Sequence, residues 1–317
     1  MGNSIYSCDG CFPNPSYEYH IEHTNFILTD HENDSHDLIE KSDPLLKYKI
    51  VNLIYTDSYG ELFLCYSSVT NKHFSLYKIK INKEIADDYI LNYHFEKSFT
   101  YLQTKHPYTL NLIEIYEFDN CYWFINNYNY NLQSLSKKLS ICGSLGQNFC
   151  GKIMYQLLSA VNSFEKRKEF HGMLNPHNIL IGSEFSDFII KINHFGIIKV
   201  FGAEKYIKNN LCYLAPEIIN GGMFTIESDI WSCGIIMYFI LTEELPFSAS
   251  ADDELKAEIL NGELKFSHKI WDKVPVEAKG LLIKMLEKEP EKRITAKDAL
   301  DNIWLSKYNS KYKTFLD

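Results

Sequence analysis

The chain has 317 residues, is 45% hydrophobic and 23% charged, and carries a formal net charge of −9. This suits a globular protein with room for two lobes around a sizeable core. The acidic balance, with no basic stripe, excludes a general nucleic-acid binder. The 8 cysteines are scattered and follow no secretory leader, so a reducing cytoplasm is expected. Cys8-x-x-Cys11 has no second Cys/His pair at zinc-finger spacing, and no metal site is assigned to it.

Residues 1–44, rich in Asp, Glu, His and Asn with little apolar periodicity, read as an amino-terminal extension. From Leu45 the pattern changes. The runs "YKIVNLIY", "LFLCYSSV", "FSLYKIKI", "NLIEIYEF" and "CYWFINN" are short, β-branched and aromatic, with turn residues between them. They predict an antiparallel sheet interrupted once by a helix over roughly 83–103. From about 132 the period becomes helical. In "GKIMYQLLSAVNSF" the residues Ile153, Met154, Leu157, Leu158 and Val161 share one face. Further helices are predicted near 215–220, 227–242, 251–261, 275–287 and 295–304, the last opened by a Thr295-x-x-Asp298 capping box. The apolar run "CGIIMYFIL", 233–241, is too short to span a bilayer and reads as a fully buried helix. The fold class is therefore α+β in two lobes: a β-rich lobe over about 45–128, a larger helical lobe over about 129–304, and a tail at 305–317.

Between the lobes lies "FHGMLNPHNIL", 170–180, a turn leading into a buried strand. Together with "SYGELFLC", "INHFG", "YLAPEII", "ESDIWSCGIIMYFILTEELPF" and "KRITAKDAL", in that order, it resembles a eukaryotic-type protein kinase domain over about Tyr48 to Trp304. The wording is most similar to the calcium-dependent kinase group. No D-x-D-x-D-G loop is present, so no calcium is expected.

The resemblance implies roles for particular residues. Lys78 matches the lysine that grips nucleotide phosphates, with a solvated strand lysine as the plain alternative. Glu96 matches its glutamate partner; a slip by one would put Lys97 there instead. Gly60 matches the last phosphate-loop glycine and Asn178 the metal-binding asparagine. His171, Phe195, Glu217, Asp229 and Arg293 match structural positions, with His171 and Phe195 expected in one apolar stack and Glu217 paired with Arg293.

The departures fall on the chemistry. Phosphoryl transfer needs a phosphate cradle, metal ions and a group that orients the attacking hydroxyl. Met173 stands in place of the hydroxyl-orienting aspartate, and a thioether neither takes nor orients a proton. It is expected to pack in the core. Asn175 replaces the lysine that steadies the transferred phosphate, and Gly172 the neighbouring arginine. His194 replaces the metal-holding aspartate, and magnesium prefers oxygen ligands. Tyr55 and Asp57 replace the first two loop glycines, and Leu76 replaces a small residue over the purine slot. ATP binding is thus expected to be weak or absent, with no cofactor and no magnesium. Between Phe195 and Pro216 the hydroxyls are Tyr206 and Tyr213, with no Ser or Thr.

The expected function is a pseudokinase acting as a scaffold or allosteric partner for another protein. A weak or unconventional Ser/Thr kinase that still binds ATP is one alternative, and a metal-independent nucleotide switch another. Gly2 could carry myristate and Cys8 or Cys11 palmitate, placing the protein on the cytosolic face of a membrane.

Overall fold

The computed structural model describes residues 39–57, 59–80, 106–127, 132–143, 146–184, 187–193, 207, 209–267 and 269–309. Gly2, Cys8, Cys11, the helix placed over 83–103 with Glu96 and Lys97, His194, Phe195 and Tyr206 lie outside them.

The amino-terminal lobe is one sheet of six strands: β1 (Ile39–Glu40), β2 (Tyr48–Thr56), β3 (Gly60–Ser67), β4 (Lys72–Lys80), β5 (Leu112–Phe118) and β6 (Cys121–Asn127). Their spatial order is β1-β5-β6-β4-β3-β2. All neighbours are antiparallel except β1, which pairs parallel with β5 through Ile39↔Ile115. The end of the expected extension therefore belongs to the sheet. The β5–β6 hairpin turns on Asp119 and Asn120, at φ 51 and 58, residues that tolerate the left-handed region a tight hairpin demands.

The helical lobe begins with β7 (Gln133–Ser134), α1 (Leu135–Cys142) and α2 (Gly146–Lys166). Strands β8 (Ile179–Glu184) and β9 (Asp187–Ile192) join β7 in a second sheet, ordered β7-β8-β9; β8 is the buried strand expected after the junction loop, while the helical period of this region concealed β7 and β9. Then follow α3 (Pro216–Ile219), α4 (Ile226–Thr242), α5 (Asp252–Asn261), α6 (Val276–Met285), α7 (Ala296–Leu300) and α8 (Ile303–Ser306).

Helix α4 is buried along nearly its whole length and is the spine of this lobe. It starts on a reciprocal capping box between Thr225 and Ser228 and stops at Glu243 in the left-handed conformation. The single helix predicted over 295–304 is instead two. Thr295 caps the Asp298 N–H, but Asn302 then offers its side-chain oxygen to the Trp304 N–H at 2.9 Å and starts a new helix.

The sheet of the first lobe has two apolar faces. Leu62, Tyr77, Ile79, Ile115, Tyr122 and Phe124 join the main core, which continues through the helical lobe. Tyr48, Cys65, Phe74, Leu76, Tyr116, Trp123 and Ile125 form a separate cluster on the opposite face.

Candidate functional site

The junction loop runs from the end of α2 to the start of β8. Asp229, near the start of α4 and almost fully buried, accepts the backbone N–H of His171 at 2.5 Å and of Gly172 at 2.8 Å. Gly172 sits at φ +76, a conformation glycine adopts without strain. The His171 ring is fully buried; its Nδ1 accepts the Met173 N–H at 3.1 Å, so its Nε2 carries the proton and donates to the Asn193 carbonyl at 2.6 Å.

Met173 is 2% exposed and belongs to the main core. Asn175 folds its side chain back on the loop: Oδ1 accepts from the N–H groups of His177 and Asn178, at 2.8 and 3.0 Å. Its Nδ2 donates to Asn210 Oδ1 at 2.9 Å, tying the loop to the segment before α3. Asn178 Nδ2 donates to the Met173 carbonyl at 2.7 Å. From His171 to Asn178 the loop offers no carboxylate, and both ring nitrogens of His171 are engaged. Asparagine amides and an imidazole with both nitrogens engaged hold a backbone in place and do not take a proton from a hydroxyl. The loop's other imidazole, exposed His177, has its Nε2 3.4 Å from the Ser136 hydroxyl. Among the described residues no group of three or more His, Cys, Asp or Glu side chains is placed to hold a metal ion.

The roof of the cleft corrects two expectations. Side chains alternate faces along a strand. Lys78 therefore lies on the outer face, with Nζ 4.7 Å from the centroid of the Trp123 ring, and not in the cleft. Leu76 is fully buried in the same outer cluster, so it does not fill the purine slot from within. The residue that faces the cleft at this level is Tyr77, paired across the sheet with Leu62.

Tyr77 donates its hydroxyl to Asp57 Oδ1 at 2.7 Å. The same oxygen accepts the N–H of Tyr59 at 2.8 Å and of Gly60 at 3.0 Å, and the Asp57 N–H donates to the Gly60 carbonyl at 3.0 Å. Gly60 has a real steric reason, since a Cβ there would meet the Lys78 carbonyl oxygen at 2.0 Å. Tyr55 reaches from β2 to the lower lobe, where its hydroxyl accepts from Asn193 Nδ2 at 2.8 Å. Burial, then the Asp57 charge, pushes both Tyr55 and Tyr77 well above the ordinary phenol range, so both hydroxyls stay protonated.

Away from the cleft, Glu217 and Arg293 form a two-pronged ion pair, and Arg293 also donates to the carbonyls of Glu227 and Glu287. Tyr213 is buried, with its carbonyl held by the Ser232 hydroxyl at 2.9 Å. The roles of Tyr77, Asn193 and Asn210 were not read from the sequence. The Asp-x-Tyr-Gly run at 57–60 was the available signal, because an aspartate commonly caps the backbone two residues on.

A β-rich lobe above a helical lobe, joined at a loop anchored by Asp229, defines the two-lobed protein kinase class. The family model for the protein kinase domain matches residues 48–305, and the chain belongs to that family. It is 31% identical over 239 residues to serine/threonine-protein kinase 33 of Bos taurus, covering 72% of this chain and 49% of that one. It is 28% identical over 272 residues to serine/threonine-protein kinase 33 of Mus musculus, covering 82% and 55%. It is 28% identical over 279 residues to calcium-dependent protein kinase 4 of Plasmodium falciparum, covering 86% and 52%. The matches thus span about half the length of these relatives.

Proposed function

We propose that this chain is a pseudokinase: a kinase domain that has given up phosphoryl transfer and serves as a scaffold or allosteric partner for another protein. The observation that carries this reading is the buried Met173, in a loop whose asparagine side chains are spent on its own backbone and on Asn210. General-base loss alone costs about 10²–10⁴ in rate. The loss of further groups compounds this without adding simply, because such residues act as a unit.

The relatives carry the names of kinases, and that favours a second reading, a weak phosphotransferase that still holds ATP. The third reading is a switch that binds nucleotide without metal. Equilibrium ATP binding with and without magnesium, beside a transfer assay with heat-inactivated protein as blank, separates the three. The pseudokinase reading expects no transfer to protein substrates or to itself. Transfer that scales with protein and is lost in Asn178→Ala overturns it.

Among the described residues no helix is long and apolar enough to cross a membrane. Acylation at Gly2 with Cys8 or Cys11 is the proposed means of placing the domain on a cytosolic membrane face.

A further inference from the structure

We propose that the chain's own Tyr55, Asp57 and Tyr77 take the place of a nucleotide's phosphates and fasten the roof of the cleft to its floor, so that the cleft stays closed with no ligand. This deepens the pseudokinase reading of the same cleft and rests on it.

The argument starts from what a phosphate needs. A turn that presents successive backbone N–H groups is an anion seat, and any oxyanion of the right reach fills it. In the β2–β3 loop that oxyanion is internal. Asp57 Oδ1 holds the N–H groups of Tyr59 and Gly60, and the Tyr77 hydroxyl completes the set from β4. The phenol of Tyr77 suits the position. Kept protonated by burial, it donates to a carboxylate without the ammonium charge that would draw in a polyphosphate. A tethered carboxylate also loses little freedom on taking its seat, whereas a free phosphate loses its translation and rotation. An incoming polyphosphate must displace Asp57 and then tolerate its charge nearby.

The fastening is Tyr55. Its hydroxyl meets Asn193 at the end of β9, and the Asn193 backbone is held from two sides, by the Asn178 carbonyl and by the His171 ring. Roof, phosphate loop and junction loop are therefore one hydrogen-bonded unit. The end of β9 is also tied to the segment before β5, where the Leu110 N–H donates to the Ile192 carbonyl at 3.0 Å.

Inorganic tripolyphosphate and ATP are the probes, each titrated by calorimetry against the full chain, with native-state hydrogen exchange read at Tyr59 and Gly60. Wild type is expected to bind neither probe and to protect both amides. Tyr55→Gly with Asp57→Gly is expected to bind tripolyphosphate saturably, at least tenfold tighter than wild type. Asp57→Asn, which keeps an oxygen acceptor and removes the charge, should fall between. Tyr55→Phe keeps the ring and deletes the hydroxyl, and should lower the Tm; an unchanged melt overturns the fastening. Wild-type binding as tight as the double variant's, or unprotected amides in wild type, overturns the internal occupant, and the exchange result stands even if the double variant fails to fold. A folded double variant that still binds nothing overturns it too. Wild type that binds tripolyphosphate yet transfers no phosphate sinks this inference alone and leaves the pseudokinase reading in place.

Discussion

The guanidinium of Arg293 grips the carboxylate of Glu217 through two parallel hydrogen bonds, of 2.7 and 2.9 Å, and its side chain is wholly buried. A buried pair adds little over a well-packed apolar substitute, but removing one partner strands the other. Glu217→Ala is therefore expected to cost about 3–5 kcal/mol. Thermal melting checks this: the Tm should drop clearly, whereas exposed Lys292→Ala, at its surface pair with Glu289, should leave it nearly unchanged.

Asn175 makes a more selective prediction. Its Oδ1 caps two backbone N–H groups while its Nδ2 reaches Asn210. Asn175→Ala leaves the Asn178 N–H with only its 3.1 Å bond to the Asn175 backbone carbonyl, and deletes the cap on His177 and the tie to Asn210, each side-chain bond being worth about 0.5–1.5 kcal/mol. Asn175→Asp keeps the acceptor, and a turn of the Asn210 amide restores the second contact. Urea unfolding should show Ala well below wild type and Asp close to it. Equal losses would mean that the Oδ1 acceptor in the turn is not what the loop depends on.

How far the sequence carried the reading depends on sidedness. Asp229, Glu217 and Arg293 were legible because each sits in an ordered motif whose partners are motif residues too. Met173 was legible as a packing residue because a thioether has no other use in that loop. Lys78 and Leu76 were misplaced because β4 is apolar on both faces, Phe74 and Leu76 on one, Tyr77 and Ile79 on the other. A strand buried on both sides has no polar alternation to fix which face is which. Lys78, the lysine of that run at the motif's spacing, then drew the assignment one residue along. The Tyr55–Asn193 and Asn175–Asn210 contacts join residues 138 and 35 positions apart, and no local pattern marks such pairs.

His106 supplies a pH dependence. Burial, and then the positive charges of Arg167 and Lys191, push its pKa down from 6.5 to about 4, and its Nδ1 accepts the Tyr108 N–H at 3.3 Å. The folded state therefore keeps the ring neutral where the unfolded chain protonates it. Its contribution is fully present above pH 6.5, is lost as pH falls toward about 4, and changes no further below that. Tm measured across that window should fall for wild type and fall less for His106→Gln. Parallel curves for the two proteins would assign the acid sensitivity to other groups.

Restoring the two lost carboxylates should not restore an enzyme. Met173→Asp with His194→Asp would return a hydroxyl-orienting group and a metal ligand by sequence position. Asp57 would still hold the Tyr59 and Gly60 N–H groups, Tyr55 would still hold Asn193, and Asn175 would still stand in place of a lysine. Steady-state transfer from ATP should stay far below the usual range of about 1–100 s⁻¹. Turnover within that range would mean that the occupied phosphate loop opens readily to nucleotide.

The amino terminus yields the last prediction, which rests on the proposed acylation. One myristoyl chain gives only marginal attachment, with K of about 10⁴ M⁻¹, and a second acyl chain makes it stable. Gly2→Ala should therefore move the protein to the soluble fraction of a eukaryotic cell that acylates. Cys8→Ser with Cys11→Ser should leave it weakly and reversibly attached. Between Glu18 and Asp43 acidic residues predominate, so attraction to anionic headgroups has no part in the attachment. Raising the salt concentration should then fail to detach the wild-type protein, since salt screens charges and leaves acyl burial intact. Membrane retention of Gly2→Ala, or a soluble wild type, would leave the domain to be placed by its protein partner.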